Sequence, residues 1–145
     1  ITNAATSGAP KISTTGGDIT NTDKIRWSKR RGTPYVPSPI LYDGMLYFNR
    51  SNQAVLSCLD SKTGEAIISA SRLSGMKRIY ASPLGADQRI YVTGRDGTTL
   101  VLERSSDLKV LATNKLNDEI DSSGAIVGSQ LFLRGRKYLY CLSSG

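Results

Sequence analysis

The chain has 145 residues, 19 Lys and Arg against 12 Asp and Glu, a net charge of +7 and an apolar fraction of 39%. Its length suits one domain. No run of about 18 apolar residues exists to cross a bilayer as a helix, and the apolar residues fall in short bursts, unlike a wholly disordered chain. Histidine is absent, which removes Ser-His and Cys-His catalysis within the chain and every imidazole metal site.

Residues 1–22 are rich in Thr, Ser, Gly, Ala and Asn and show no sustained periodicity. They are expected to form a flexible or irregular arm; the alternative is an irregular strand from a preceding repeat. The first residues lack the apolar core of a signal peptide. With Ile1 in first place, either a leader has been removed or the chain is a piece of a longer one. Residues 23–30, with Lys24-Ile25-Arg26-Trp27-Ser28, look like an outer strand with no sheet of their own before it.

A repeat then governs the chain. Ser38, Ser82 and Ser123 recur at spacings of 44 and 41 residues. Each serine opens a series of apolar bursts of four to six residues, bounded by turn residues such as Asp43-Gly44, Ser61-Lys62-Thr63-Gly64 and Asp96-Gly97. A period of ~40–45 residues with four short strands marks a propeller blade. The predicted strands are 35–42, 45–50, 54–60 and 66–72 in a first blade, residues 31–75. A second blade, 76–118, has 80–86, 89–94, 98–104 and 109–115. An incomplete blade, 119–145, has 121–128, 130–134 and 138–143 and lacks its outer strand. The fold class is therefore all-β, a partial β-propeller of about three four-stranded antiparallel blades. Propellers need roughly four to eight blades to close. The chain is the C-terminal part of a larger ring, or two copies close a six-bladed ring, or the array stays open.

The run Ser38-Pro39 through Asp43-Gly44 to Tyr47-Phe48, followed by Leu59-Asp60-Ser61-Lys62-Thr63-Gly64-Glu65, resembles the quinoprotein-type (pyrroloquinoline-quinone-like) β-propeller repeat. Residues 87–97 fit the same pattern, and 132–142 resemble the last blade of secreted members. The resemblance covers about residues 23–143 and implies the fold. The family holds quinone-dependent dehydrogenases as well as non-enzymatic relatives, among them the outer-membrane-assembly lipoprotein of Gram-negative bacteria. Its cofactor-using members need calcium-ligating carboxylates and channel aromatics, and none of these maps onto this sequence, so no cofactor is expected. The family's blade-docking tryptophan is matched only by Trp27; Ile68 and Ala112 stand in the other two places, which implies aliphatic docking there. The resemblance also implies an extracytoplasmic home, periplasmic or secreted.

No catalytic or metal-binding residue is assigned. Cys58 and Cys141 share a repeat slot with Val101, so both are expected to be buried, unpaired core filler. Asp118-Glu119-Ile120-Asp121 could offer oxygen ligands to a cation, but its spacing is not that of a calcium loop, and a solvated loop is the expectation. Serines Ser38, Ser82, Ser122 and Ser123 are expected to satisfy backbone groups near the axis. The basic residues carry most information. If strands alternate up and down, Lys29, Arg30, Arg31, Arg50, Lys77, Arg78, Arg95, Arg136 and Lys137 gather on one face, with Asp96, Asp118, Glu119 and Asp121. Asp43, Asp60, Glu65, Asp87 and Asp107 gather on the other, with Lys62 as the main base. Such segregation focuses positive potential at one mouth of the channel; the competing explanation is ordinary solubility charge. The anion-binding candidates are Arg30, Arg31, Lys77, Arg78, Arg95 and Arg136. Their partner would be an acidic protein, an anionic glycan or phospholipid headgroups. Nucleic acid is disfavoured, because only Tyr35 and Tyr80 lie near enough to stack on bases. The leading expectation is a non-catalytic scaffold or binding module, partnered by the remaining blades of the same protein or by a second copy. The alternative is a fragment of a quinoprotein-like oxidoreductase whose catalytic residues lie in missing blades.

Overall fold

The computed structural model describes residues 16–143; the first fifteen residues of the expected arm lie outside them. Three antiparallel sheets follow one another along the chain. The first runs in the order β1 (Ile40–Tyr42), β2 (Met45–Asn49), β3 (Val55–Asp60), β4 (Ala66–Arg72). The second runs β5 (Leu84–Ala86), β6 (Arg89–Thr93), β7 (Thr98–Glu103), β8 (Val110–Lys115). The third holds β9 (Ala125–Val127), β10 (Gln130–Arg134) and β11 (Leu139–Ser143), with β10 in the middle. The inner strands stand side by side, β5 between β1 and β9.

The inner strands are shorter than the sequence suggested. Proline at 37, 39 and 83 denies the ladder its N–H donors. The preceding loop backbone is committed elsewhere, to the loops described below. Residues 23–30, expected as an outer strand, form no ladder. They are nonetheless anchored: the Trp27 indole N–H donates to the Ser61 carbonyl at 3.0 Å. Gly64 makes this possible, since a Cβ there would lie 2.6 Å from the Trp27 ring, and its φ is +74°.

Side chains of the middle strands alternate between the two neighbours of each sheet. Tyr47, Leu56, Cys58 and Ile68 of the first sheet join Ile90, Val92, Leu100, Leu102 and Leu108 of the second in one buried cluster. Ile68 and Leu108 both belong to it, which makes the docking in this region aliphatic, as the sequence implied. Leu108 takes the turn place that Gly64 holds in the first sheet and keeps its positive φ, +49°. The junction of the second and third sheets is looser. A cleft of about 730 Å³ lies between Tyr91, Val101 and Asn114 on one side and Ile126, Leu131 and Leu142 on the other. It lies beside the outer strand β8, which has no opposite number in the third sheet.

Tyr91 and Val101 pair across β6 and β7, as Tyr47 and Cys58 do across β2 and β3 and Phe132 and Cys141 across β10 and β11. The shared slot is thus real, but the burial it implied for Cys141 is not. Cys58 faces the second sheet and is buried, whereas Cys141 is exposed because its slot faces the open flank of the third sheet.

Candidate functional site

One end of the three sheets is built from two sets of loops. The loops that enter each sheet meet those joining its two middle strands, and backbone hydrogen bonds stitch them into one surface. Ser51, Arg95 and Arg136 donate their amides to Thr33, Arg78 and Glu119, at 3.2, 2.9 and 2.8 Å. In the other direction, Ile79 and Ile120 donate to Asn52 and Arg95, each at 3.0 Å. Gln53 and Arg78 form an isolated antiparallel bridge, and Pro34 and Ser51 a parallel one. Arg50, Arg78, Arg95 and Arg136 lie in these stitched loops.

A second set of bonds runs near the inner strands. The Ser82 hydroxyl accepts from the Ser38 amide at 2.8 Å, and the Ser123 hydroxyl accepts from the Ser82 amide at 2.9 Å. Each serine therefore ties its own sheet to the one before. Ser122 instead donates to the Arg134 carbonyl within its own sheet.

The cations on this face fall into two groups. Arg95 lies 3.0 Å from Asp121 and 3.9 Å from Glu119, with its guanidinium 5.2 Å from the centre of the Tyr80 ring. Arg136 lies 2.9 Å from Glu119. These two are neutralised by the acidic loop. Arg30, Arg31, Lys77 and Arg78 are exposed, with no carboxylate partner among the described residues. Arg50 is half-buried and lies against Gly32. The face thus presents free positive charge on the loops entering the first and second sheets and paired charge at the third.

The solvated-loop expectation for Asp118 is overturned. The residue is 7% exposed. The Lys137 and Tyr138 amides donate to its Oδ2 at 3.0 and 3.1 Å, and the Tyr140 hydroxyl donates at 3.2 Å. Burial pushes the carboxyl up, but these bonds outweigh it and hold Asp118 below its ordinary range. Nothing local in the sequence marks this role, because the partners lie 19 to 22 residues away.

The opposite end is less acidic than expected. Arg104 lies 3.0 Å from Asp43, and Arg89 pairs with Asp87. Lys62 is therefore not its main base. The Tyr42 hydroxyl accepts from the Gln88 amide at 3.1 Å, and Arg104 donates to Gln88 Oε1 at 2.6 Å. Among the described residues no group of three metal-ligating side chains occurs, and no helix is long and apolar enough to cross a membrane.

No protein-family model and no curated protein sequence matches this chain. Solved structures do. BamB from Moraxella catarrhalis superposes with a TM-score of 0.61 at 18% identity, over 81% of this chain and 36% of its own. Quinohemoprotein alcohol dehydrogenase from Comamonas testosteroni gives a TM-score of 0.55 at 16% identity, over 70% of this chain and 17% of its own. The chain carries a partial β-propeller. The computationally designed Ika4 protein also superposes on this propeller, with a TM-score of 0.57 at 12% identity over 74% of the chain and 64% of its own. At these identities the likeness establishes the fold alone. The propeller chain spans about a third of the BamB chain, at 36%.

Proposed function

We propose that this chain is a non-catalytic propeller binding module that acts outside the cytoplasm and takes an anionic partner on its basic loop face. The ring around it is completed by further blades of the same protein or by a second copy. One observation carries the binding role: Arg30, Arg31, Lys77 and Arg78 are exposed without carboxylate partners, while Arg95 and Arg136 on the same face are paired. Unpaired cations on one face keep their field for a ligand, whereas paired ones cancel locally. The absence of histidine favours binding over hydrolytic chemistry.

The test uses a glutamate-rich peptide and a sulfated polysaccharide as probes. Binding should weaken steeply as salt rises, since surface attraction is screened over about 8–10 Å near physiological ionic strength. Reversing Arg30, Arg31 and Arg78 to Glu should abolish it, and Lys62→Glu, at the opposite end, should do little. Equal effects at both ends, or binding that ignores salt, would overturn the proposed site.

A further inference from the structure

Arg50, Gly94 and Gly135 occupy one repeat position. Each opens the loop between the two middle strands of its sheet, and each donates its amide across that loop, to the carbonyls of Val55, Thr98 and Tyr138 at 2.8, 2.7 and 2.8 Å. In the second and third sheets the glycine leaves room for a side chain of the entry loop. A Cβ on Gly94 would lie 2.8 Å from the Met76 ε-carbon, and one on Gly135 would collide with the Asp118 carboxylate. Met76 and Asp118 are both buried in these slots. The first sheet reverses the arrangement. Its entry loop gives the glycine, Gly32, and its middle loop gives the side chain, Arg50. A Cβ on Gly32 would lie 2.9 to 3.1 Å from Nε, Cζ and Nη2 of Arg50, so the guanidinium lies against bare backbone.

The reversal puts a cation where the other sheets hold a methionine or a fully bonded carboxylate. Arg50 is half-buried, and its side chain has no hydrogen-bond or ion-pair partner among the described residues. Such a charge loses hydration and gains nothing in return. The Asn52 amide also has no partner among the described residues. In the third sheet the Lys137 amide, which follows Arg136 as Asn52 follows Ser51, is bonded to Asp118 at 3.0 Å. This setting is internal to the array. Ser51 bonds to Thr33 of its own sheet's entry loop, and the Asn52 carbonyl receives Ile79 of the next. Gln53 bridges to Arg78, which brings the free charges of Lys77 and Arg78 beside the same loop.

We propose that Arg50 is the specificity-determining residue of the anionic site: its guanidinium, seated on Gly32, takes a side-chain carboxylate of an acidic protein segment. This rests on the reading of the basic loops as a binding face and names the group that the face selects. A carboxylate is the group that the third sheet places in the corresponding slot, where Asp118 meets backbone amides. The planar fork of a guanidinium matches the two oxygens of a carboxylate, which adds shape to charge. Lys77 and Arg78 draw the acidic segment in, and Arg50 decides which anion stays.

A glutamate-rich peptide and a sulfated polysaccharide, titrated against Arg50 variants, separate shape from charge. Arg50→Lys keeps the charge and loses the fork. It should weaken the peptide about tenfold or more and the polysaccharide about twofold or less. Arg50→Met should weaken the peptide at least as much, yet melt no lower than the unaltered protein, because Met76 shows that the slot accepts this side chain and an unpaired charge is removed. A lower melting temperature for Arg50→Met would make Arg50 a structural residue and overturn the proposal. Equal losses for both probes in Arg50→Lys, or binding of the polysaccharide alone, would overturn it in favour of an anionic glycan read by charge. Salt-dependent binding of the peptide that both Arg50 variants retain would remove the role of Arg50 and leave the binding face standing. Binding of neither probe by the unaltered protein would remove both.

Discussion

Asp118 shows how one carboxylate organises the third sheet. It holds two amides of the loop that joins β10 to β11 and the hydroxyl of Tyr140 on β11, and Gly135 leaves room for it to approach. Its folded-state pKa lies below the value of about 3.9 for a free aspartate. The charged form is therefore favoured by folding, and the stability it contributes is present above about pH 4 and lost as pH falls through the depressed value. Asp118→Asn should lower the melting temperature at pH 7, and the gap from the unaltered protein should narrow towards pH 3. A gap that does not change with pH would show that shape, and not charge, matters there. Asn49 offers the opposite case. It is fully buried at the end of β2, and neither side-chain amide atom has a partner. A lone buried polar group costs about 1–3 kcal/mol. Asn49→Leu, which keeps the branched outline of the side chain though its methyl groups are larger, should raise stability in a urea titration by about 1 kcal/mol. A loss would mean the amide is satisfied by bound water.

At the scale of the elements, the middle and outer strands were legible because they alternate or run apolar between clear turn residues. Strand β6 is read as 89–94 and found at Arg89–Thr93; β8 is read as 109–115 and found at Val110–Lys115. The inner strands were read in place but too long, because their loops spend backbone groups on a neighbouring sheet, and periodicity does not reveal a partner 41 to 44 residues away. The turn at Asp87-Gln88 was placed between strands 80–86 and 89–94, but its backbone conformation was hidden. Both residues have positive φ, 46° and 56°, with no glycine to announce it. Gln88 is held there by Tyr42 and Arg104 of other strands and turns. The cysteines show the limit most plainly. Sequence gives Cys58 and Cys141 the same slot, but only tertiary structure says which slot has a neighbour. In the single copy Cys141 should react with a maleimide quickly and Cys58 only on unfolding. Burial also pushes the Cys58 thiol up, away from the reactive thiolate. Fast labelling of both would mean the first junction is not closed.

The whole molecule is an array in which each sheet touches only the next. Strand alternation gave the basic residues a common face as an expectation, but it could not say which of them are paired, as Arg95 and Arg136 are. Glu119 and Asp121, on the third sheet's entry loop, cancel Arg95 and Arg136. The two junctions are unequal. The first is filled by apolar side chains from both sheets, while the second is split by a cleft of about 730 Å³. Stability in such an array is close to a sum of sheet terms and junction terms. Native-state hydrogen exchange should therefore be slowest for β3 and β7 and faster for β10 and β11. Uniform protection across all three sheets would contradict an array of separable units.

The serine bonds near the inner strands have a kinetic consequence. Each donates its amide forward to a hydroxyl that already belongs to the next sheet, so the Ser38 amide is closed by the second sheet and the Ser82 amide by the third. On a ribosome, which releases the chain from its N-terminus, the first and second sheets each emerge with one backbone donor still waiting for a hydroxyl about forty residues behind it. The order of synthesis and the direction of the bonds agree, and the first sheet is locked only after the second has been made.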